Sequence, residues 1–377
     1  MRLVRGALVR RRGGHRLREA LDRGARLSTS RPGAAGEAGR TAVVIVNWER
    51  ADLTVRAARA VLDDPSAGAE VVVVDNGSGD DSVVVLRAAL PDATVLTRER
   101  NGGFAAGANT GIRHTDAEVV VLLNNDAEPA PGFVGALRDH LARAAPETAA
   151  VTGRIVLAGR WTRLPAGTGP TAGQRVLRDH DGRWWTPSDD GDVRLNSTGV
   201  RVDRDGNGMD RDWFAPGDQA AEVDVFGFSG GACALRRAAL DDVGLLDESL
   251  FMYYEDTELA WRMRRRGWRV EHAVDAAVEH DHSASSGVRS DLFVFRNARN
   301  RLVVALWHAP WSTVARAAAR TLVRGLRGLA SGRDRREARL VLAALADVAA
   351  HLPRHLARRF AEDRRASVPR RAVDPGA

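Results

Sequence analysis

The chain alternates between short, wholly apolar, β-branched runs and longer segments in which apolar residues recur every three or four positions. Thr41–Asn47 (TAVVIVN), 70–75 (EVVVVD) and 118–124 (EVVVLLN) are runs of the first kind, and Thr94–Thr97 (TVLT) is a weaker fourth. Between them, 53–62, 82–90, 105–114 and 133–144 carry a helical period. Continuous apolar strands alternating with amphipathic helices predict a mostly parallel sheet covered on both faces, an α/β fold. This rhythm runs to about residue 150.

The pattern then breaks. Residues 158–222 are rich in Gly, Asp, Arg and Trp, including Trp161, Trp184, Trp185 and Trp213, with one edge strand expected at 196–202. So long an irregular stretch in a compact domain marks a functional insertion. Regularity resumes with a strand at 230–235, a helix at 236–243, a helix at 255–266 and a strand at 269–272. From residue 292 the pattern is helical, with apolar stripes at 302–306, 314–329 and 338–352 punctuated by arginine. The predicted organisation is a frayed or disordered tail over 1–40, a catalytic-type domain over 41–290 containing the 158–222 insertion, and a helical extension over 291–377.

Charge sharpens this division. The net +7 is carried entirely by arginine on the basic side. Residues 1–40 hold eleven arginines against three acids, and 290–377 hold eighteen against seven, while the middle has an acidic excess. Basic ends on an acidic body meet nucleic acid, anionic lipid or solvent. Nucleic acid is disfavoured, because 312–350 has no aromatic residue to stack on bases. A single cysteine, Cys233, excludes a disulfide framework and a multi-Cys zinc site. The apolar run at 6–9 is too short for a signal peptide, and no segment reaches the roughly 18 apolar residues needed to span a bilayer, so a cytoplasmic location is expected. The arginine-flanked C-terminal helices fit either an anionic membrane surface or a bundle with a solvated face.

Ligands of a parallel α/β sheet bind at the carboxyl ends of its strands. The first run ends in Asn47, and the second in Asp75-Asn76-Gly77-Ser78. The fourth is followed by Asn101-Gly102-Gly103, and the third by Asn124-Asn125-Asp126. Asp75 fits an Asx turn or an acceptor for a nucleobase imide or ribose. Gly102-Gly103 fits a plain turn or a close backbone approach to a ligand. Asn124-Asn125-Asp126 puts three oxygen-bearing side chains at a strand end, as an Mg²⁺ or Mn²⁺ ion bridging a diphosphate requires. Further on, the aromatic run 251–254 leads into Glu255-Asp256 at a helix start. One carboxylate suffices for a cap, so the second is a candidate general base. His280 and His282 are candidates to complete a metal site with Asp126.

Taken in order, VIVNW (44–48), VVVVDNGSGDDS (71–82), NGGFAAGAN (101–109), LLNNDAE (122–128), the segment 227–268 around GFSGGACALRR and FMYYEDTELAWR, and VEHDHSASSG (278–287) resemble family 2 glycosyltransferases of the GT-A fold. The rhamnosyltransferase-like branch is the most similar, and Arg296–Arg301 (RNARNR) resembles that family's segment after the catalytic domain. The resemblance implies an inverting transferase taking a sugar from a nucleotide-diphosphate donor, dTDP-rhamnose first and UDP-sugars next. The implied acceptor is lipid-linked or a polysaccharide, expected to be read by the 158–222 segment and its tryptophans, which can stack on sugar faces. Asn47 and Asp75 would meet the nucleoside. Asn101, Gly102, Gly103, Asn124 and Asn125 would line the nucleotide-sugar site, and Gly230 and Gly231 would face the donor sugar. Asp126 would hold Mg²⁺ or Mn²⁺, and His280, with His282 as competitor, would contact the metal or the diphosphate. Asp256 would be the base beside Glu255. Asn124 stands where the family's Asp-X-Asp pattern has its first Asp. An inactive, glycosyltransferase-like binding module is the alternative on the same fold.

Overall fold

The computed structural model describes residues 39–171, 173–281, 290–332 and 334–373. The N-terminal tail up to residue 38 and His282 lie outside the described residues. The four apolar runs form β1 (Thr41–Asn47), β2 (Ala69–Asp75), β3 (Thr94–Thr97) and β4 (Val119–Asn124). The helical periods form α1 (Ala51–Leu62), α2 (Ser82–Ala89), α3 (Gly103–His114) and α4 (Phe133–Arg143). After β4 come β5 (Ala127–Pro129), β6 (Thr148–Leu157), β7 (Trp161–Arg163), β8 (Leu177–Arg178), β9 (Trp184–Pro187), β10 (Leu195–Ser197), β11 (Val200–Val202), β12 (Gly208–Asp210), β13 (Asp224–Val225), β14 (Ala232–Arg236) and β15 (Arg269–His280). Helices α5 (Arg237–Val243) and α6 (Glu255–Arg265) flank the last two strands' connection.

The main sheet runs β13-β15-β6-β14-β4-β1-β2-β3. Strands β1 to β4 pair in parallel and β15 runs parallel to β6, while β14 enters antiparallel between β4 and β6. Alternate residues of each strand feed two layers of core. Val43, Ile45, Val71, Val73, Val121 and Leu123 pack under α1, α2 and α4. Val44, Val72, Val74, Val120 and Leu122 pack under α3, α5 and α6. Double-sided burial explains why these strands read as continuous apolar runs. Helix α3 lies unusually close to β1: a Cβ on Gly107 or Gly111 would stand 2.6 and 2.4 Å from Val46 and Val44 Cγ1. Two glycines of the NGGFAAGANTG stretch are therefore packing glycines.

The 158–222 stretch is more regular than its composition predicts. Strands β7-β9-β8 form a small sheet and β11-β12 a ribbon. The single edge strand expected at 196–202 is two strands, split at Gly199 (φ +122°). β10 joins β6 of the main sheet, and β11 turns away to pair with β12. The strand expected at 269–272 continues to His280 as β15, through an irregularity between His272 and Ala277.

The extension is four helices, α7 (Asp291–His308), α8 (Trp311–Ser331), α9 (Arg335–Ala350) and α10 (Leu352–Arg365). Leu302, Val303, Leu306 and Trp307 of α7 share a core with Leu250, Tyr254 and Trp261, so the bundle is packed on the catalytic body. Buried Glu258 of α6 accepts from Arg262 and from His308 Nε2 at 2.9 Å, sealing that junction. The Arg262 guanidinium, with the His308 hydrogen bond, overcomes burial and holds Glu258 down at about 2. No single described helix is long and apolar enough to cross a membrane. The bent pair α9 and α10 passes by length and composition, but Val341, Ala344 and Val348 of α9 are buried in the protein.

Candidate active site

The parallel register aligns the strand ends: Asn47 of β1 sits opposite Asp75 of β2, and Val46 opposite Asn124 of β4. Side-chain hydrogen bonds tie this rim together. Asn47 Nδ2 donates to Asp75 Oδ2 at 2.8 Å, and Thr54 Oγ1 of α1 donates to Asn47 Oδ1 at 2.7 Å. Asn125 Nδ2 reaches Thr54 Oγ1 at 3.3 Å. Asp75 also accepts from the Ser78 amide and hydroxyl, so the Asx turn is present and a nucleoside would meet only the carboxylate's remaining lone pairs.

The Asn101 loop is fastened by Asn76, which donates to Asn101 Oδ1 and the Gly103 carbonyl, both at 3.0 Å, and accepts from the Gly102 amide. Gly103 has φ +84°, and a Cβ there would lie 2.0 Å from the Phe251 carbonyl oxygen. Gly102 has an ordinary φ of −97°. The close approach expected of this glycine pair is thus made to the chain's own backbone at Gly103.

Two connections close the ring. Strand β5 pairs antiparallel with the end of β15, setting Ala127 opposite His280. This brings His280 Nε2 to 3.1 Å from Asp126 Oδ1. His280 Nδ1 lies 2.7 Å from Asn196 Oδ1 on β10. An amide oxygen only accepts, so Nδ1 donates to Asn196 and Nε2 is the ring atom facing Asp126. A carboxylate oxygen and an imidazole nitrogen side by side are donor types that a shared divalent cation takes. Among the described residues no cluster of three or more His, Cys, Asp or Glu forms a metal cage. An ion held by this pair would draw its remaining ligands from phosphate oxygens and water.

On the opposite side, the Gly231 carbonyl accepts from the Asn124 amide at 2.9 Å, and the Gly230 amide donates to Asp256 Oδ2 at 3.1 Å. Asp256 Oδ1 accepts from the Thr257 amide. Asp256 is only half-buried, and desolvation raises it above the usual carboxylate range. Glu255 is buried, its Oε2 has no hydrogen-bond partner, and burial with the charge of Asp256 pushes it up to about 8. Asp210 of β12 joins these acids; burial, with Asp256 adding, pushes it up to about 6. Of the pair in the sequence, then, Asp256 is held by main-chain donors in the cleft, and Glu255 is a protonated group beneath it at neutral pH.

The approach to these acids is strained. Phe251, Tyr253 and Tyr254 all have positive φ, at 67°, 69° and 72°. For bulky residues this costs on the order of 1–3 kcal/mol each, and it persists only where surroundings impose it. Asn300 of α7, fully buried, imposes it here: its Nδ2 lies 2.9, 3.0 and 2.8 Å from the carbonyls of Leu250, Met252 and Tyr253.

Sequence reasoning brought together Asn47, Asp75, Asn101, Gly102, Gly103, Asn124, Asn125, Asp126, Gly230, Gly231, Glu255, Asp256 and His280, and the structure sets all of them along this rim. It missed Thr54, Asn76, Asn196, Asp210 and Asn300. Only Asn76 and Asn300 carried a signal, inside the DNGS and RNARNR segments. Two of the insertion's four tryptophans are unavailable to stack on a sugar. Trp161 and Trp185 are buried with Leu177 and Phe214 in a core of their own, with Trp185 stacked on Phe214 at 5.1 Å.

An α/β sheet with a carboxylate–imidazole pair and a cleft carboxylate at its carboxyl edge is the arrangement of a GT-A sugar transferase. Residues 42–244 match the model of Glycosyl transferase family 2, and the chain belongs to that family, as a glycosyltransferase. Over 232 residues it is 28% identical to the N-acetylglucosaminyl-diphospho-decaprenol L-rhamnosyltransferase of Mycobacterium tuberculosis, covering 58% of this chain and 68% of the relative. Over 220 residues it is 28% identical to that organism's pre-mycofactocin glycosyltransferase, covering 57% of this chain and 38% of the relative. The fold is similar to that of GalNAc-T7, solved with UDP, GalNAc and Mn²⁺. That likeness has a TM-score of 0.55 and 16% identity, over 76% of this chain and 51% of that one.

Proposed function

We propose that this glycosyltransferase inverts the anomeric centre as it moves a sugar from a nucleotide-diphosphate donor to a lipid-linked or polysaccharide acceptor in cell-envelope glycan synthesis. The observation that carries the reading is the placement of Asp256, held by the Gly230 amide on the same rim as the Asp126–His280 pair. Asn47 and Asp75 meet the nucleoside, and Asn101, Gly102 and Gly103 border its site. Asn124, Asn125, Gly230 and Gly231 face the donor sugar. Asp126 and His280 would hold Mg²⁺ or Mn²⁺, which would offset charge on the departing diphosphate.

Asp256, ionised and made more basic by desolvation, takes the proton of the acceptor hydroxyl. That oxygen forms its bond to the anomeric carbon from the face opposite the diphosphate, whose C–O bond breaks with its electron pair. Configuration inverts in one displacement, and no covalent enzyme intermediate forms. The donor preferred is dTDP-rhamnose, with UDP-sugars next, by similarity to the mycobacterial rhamnosyltransferase. The proposed location is the cytoplasmic side of the cell envelope, where nucleotide-sugars are the donors.

A panel of nucleotide-sugars with and without EDTA, run on the wild type and on Asp256→Asn, tests this. Transfer from one donor, lost with EDTA and reduced roughly 10²–10⁴-fold in the variant, is expected. Full transfer by Asp256→Asn refutes the base assignment. Donor binding without transfer to any glycan or lipid-linked acceptor favours the binding-module reading.

A further inference from the structure

Helix α8 is an amphipathic helix worn inside out. Its packed side is made of small residues, Thr313, Ala317, Thr321 and Gly325, seated against the bundle. Its outward side carries the larger apolar groups. Trp311, Leu322, Val323 and Leu326 are 55%, 42%, 42% and 52% exposed. Ser312, Ala315, Ala319 and Ala330 are exposed on the same side. On a helical projection these residues form one continuous stripe, and the only polar member is Ser312. A helix stabilised by its core alone would place its leucines inward.

One border of the stripe is a rail of Arg316, Arg320, Arg324 and Arg327, and the helix has no acidic residue. Beside it, Arg301, Arg320, Arg324 and Arg327 wall an open hollow of about 560 Å³, with Ala319 and Val323 as its apolar floor. Arg316 and Arg320 pair with Asp205, and Arg324 with Glu337. Three of the rail's four guanidiniums therefore share two carboxylates, and positive charge remains at the edge of an apolar face. Trp311 closes one end of the stripe, with the Arg359 guanidinium 4.0 Å above its ring.

We infer that this face docks on an anionic phospholipid bilayer, with Leu322, Val323 and Leu326 entering the acyl boundary and headgroup phosphates on the arginine rail and in the hollow. Apolar insertion and basic attraction are the two components by which interfacial helices bind. A protein partner of matching shape would need acidic groups ringing an apolar strip; a bilayer rich in anionic lipid presents both everywhere. The inference rests on α8 alone and holds whatever the donor and acceptor of the transferase are.

The test is flotation of the full chain with vesicles of phosphatidylcholine and phosphatidylglycerol at 3:1, against pure phosphatidylcholine. The wild type is expected to float with the anionic vesicles, less with neutral ones, and less at 1 M than at 0.1 M NaCl because screening weakens the rail. Leu322→Glu/Leu326→Glu is expected to lose at least roughly tenfold in partition, and Arg324→Gln/Arg327→Gln roughly tenfold, the second on anionic vesicles only. Thermal melts establish that each variant is folded, and no sugar transfer is read. A wild type that stays at the bottom of the gradient overturns the inference, as do folded face variants that float like wild type. So does a wild-type dimer in light scattering that Leu322→Glu/Leu326→Glu dissociates without any flotation, which would assign the face to a second copy of the chain.

Discussion

Replacing Glu255 by glutamine is expected to make the protein more stable at neutral pH, by an amount that grows with pH. In the folded chain burial and Asp256 push Glu255 from 4.5 up to about 8, and Oε2 has no hydrogen-bond partner. The folded state therefore holds a proton on Glu255 that the unfolded chain releases above its ordinary pKa. Stability from this group is present in full below about 4.5 and is lost progressively as pH rises to about 8. At about 1.36 kcal/mol per unit, the loss accumulated by pH 7 is roughly 3 kcal/mol. Unfolding entropies of about 2.1 cal/mol/K per residue convert this, for a chain of this size, to about 4 °C in Tm. Glutamine keeps the shape and has no proton to hold. The assay is Tm between pH 5 and 8 for wild type and Glu255→Gln, with the variant's advantage near zero at pH 5 and about 4 °C at pH 7. Parallel curves across that range would refute the protonated, buried assignment of Glu255.

Asn196→Ala leaves His280 without its orienting oxygen; the concentration of Mn²⁺ giving half-maximal transfer is expected to rise roughly 10–100-fold with kcat at saturating metal little changed. Asn300→Ala releases the carbonyls of 250, 252 and 253, so kcat is expected to fall at least about tenfold while donor Kd, by calorimetry, stays within about twofold. Gly103→Ala puts a Cβ into the Phe251 carbonyl at φ +84° and is expected to lower the unfolding free energy measured by urea titration by more than a typical point mutation, roughly 2 kcal/mol or more.

The parallel half of the sheet was legible because burial on both faces leaves its strands with nothing but apolar residues between turns. Antiparallel β14 was legible as a strand, but its insertion between β4 and β6 was not, since pairing partners leave no mark on a period. The carboxyl-edge residues were legible through polar groups abutting apolar runs. Asn196 was not, because only the β10–β6 pairing carries it to His280. Nor was Asp210, on a three-residue strand whose neighbours read as turn. Tryptophan misled for a related reason: composition shows an aromatic, and only packing shows that Trp161 and Trp185 are filling a core.

Asn300 has a consequence for how the enzyme comes into being. Every residue proposed for the chemistry is synthesised by residue 280, yet the strained loop that presents Asp256 is pinned from α7, and Glu258 is sealed by His308. Domains generally fold from the N-terminus as they leave the ribosome. Here the sheet can assemble while Asp256 still rides on an unclamped loop, and the nascent chain gains a set base only when α7 emerges. Emergence of α7, and not assembly of the sheet, is thus the step that completes the proposed base.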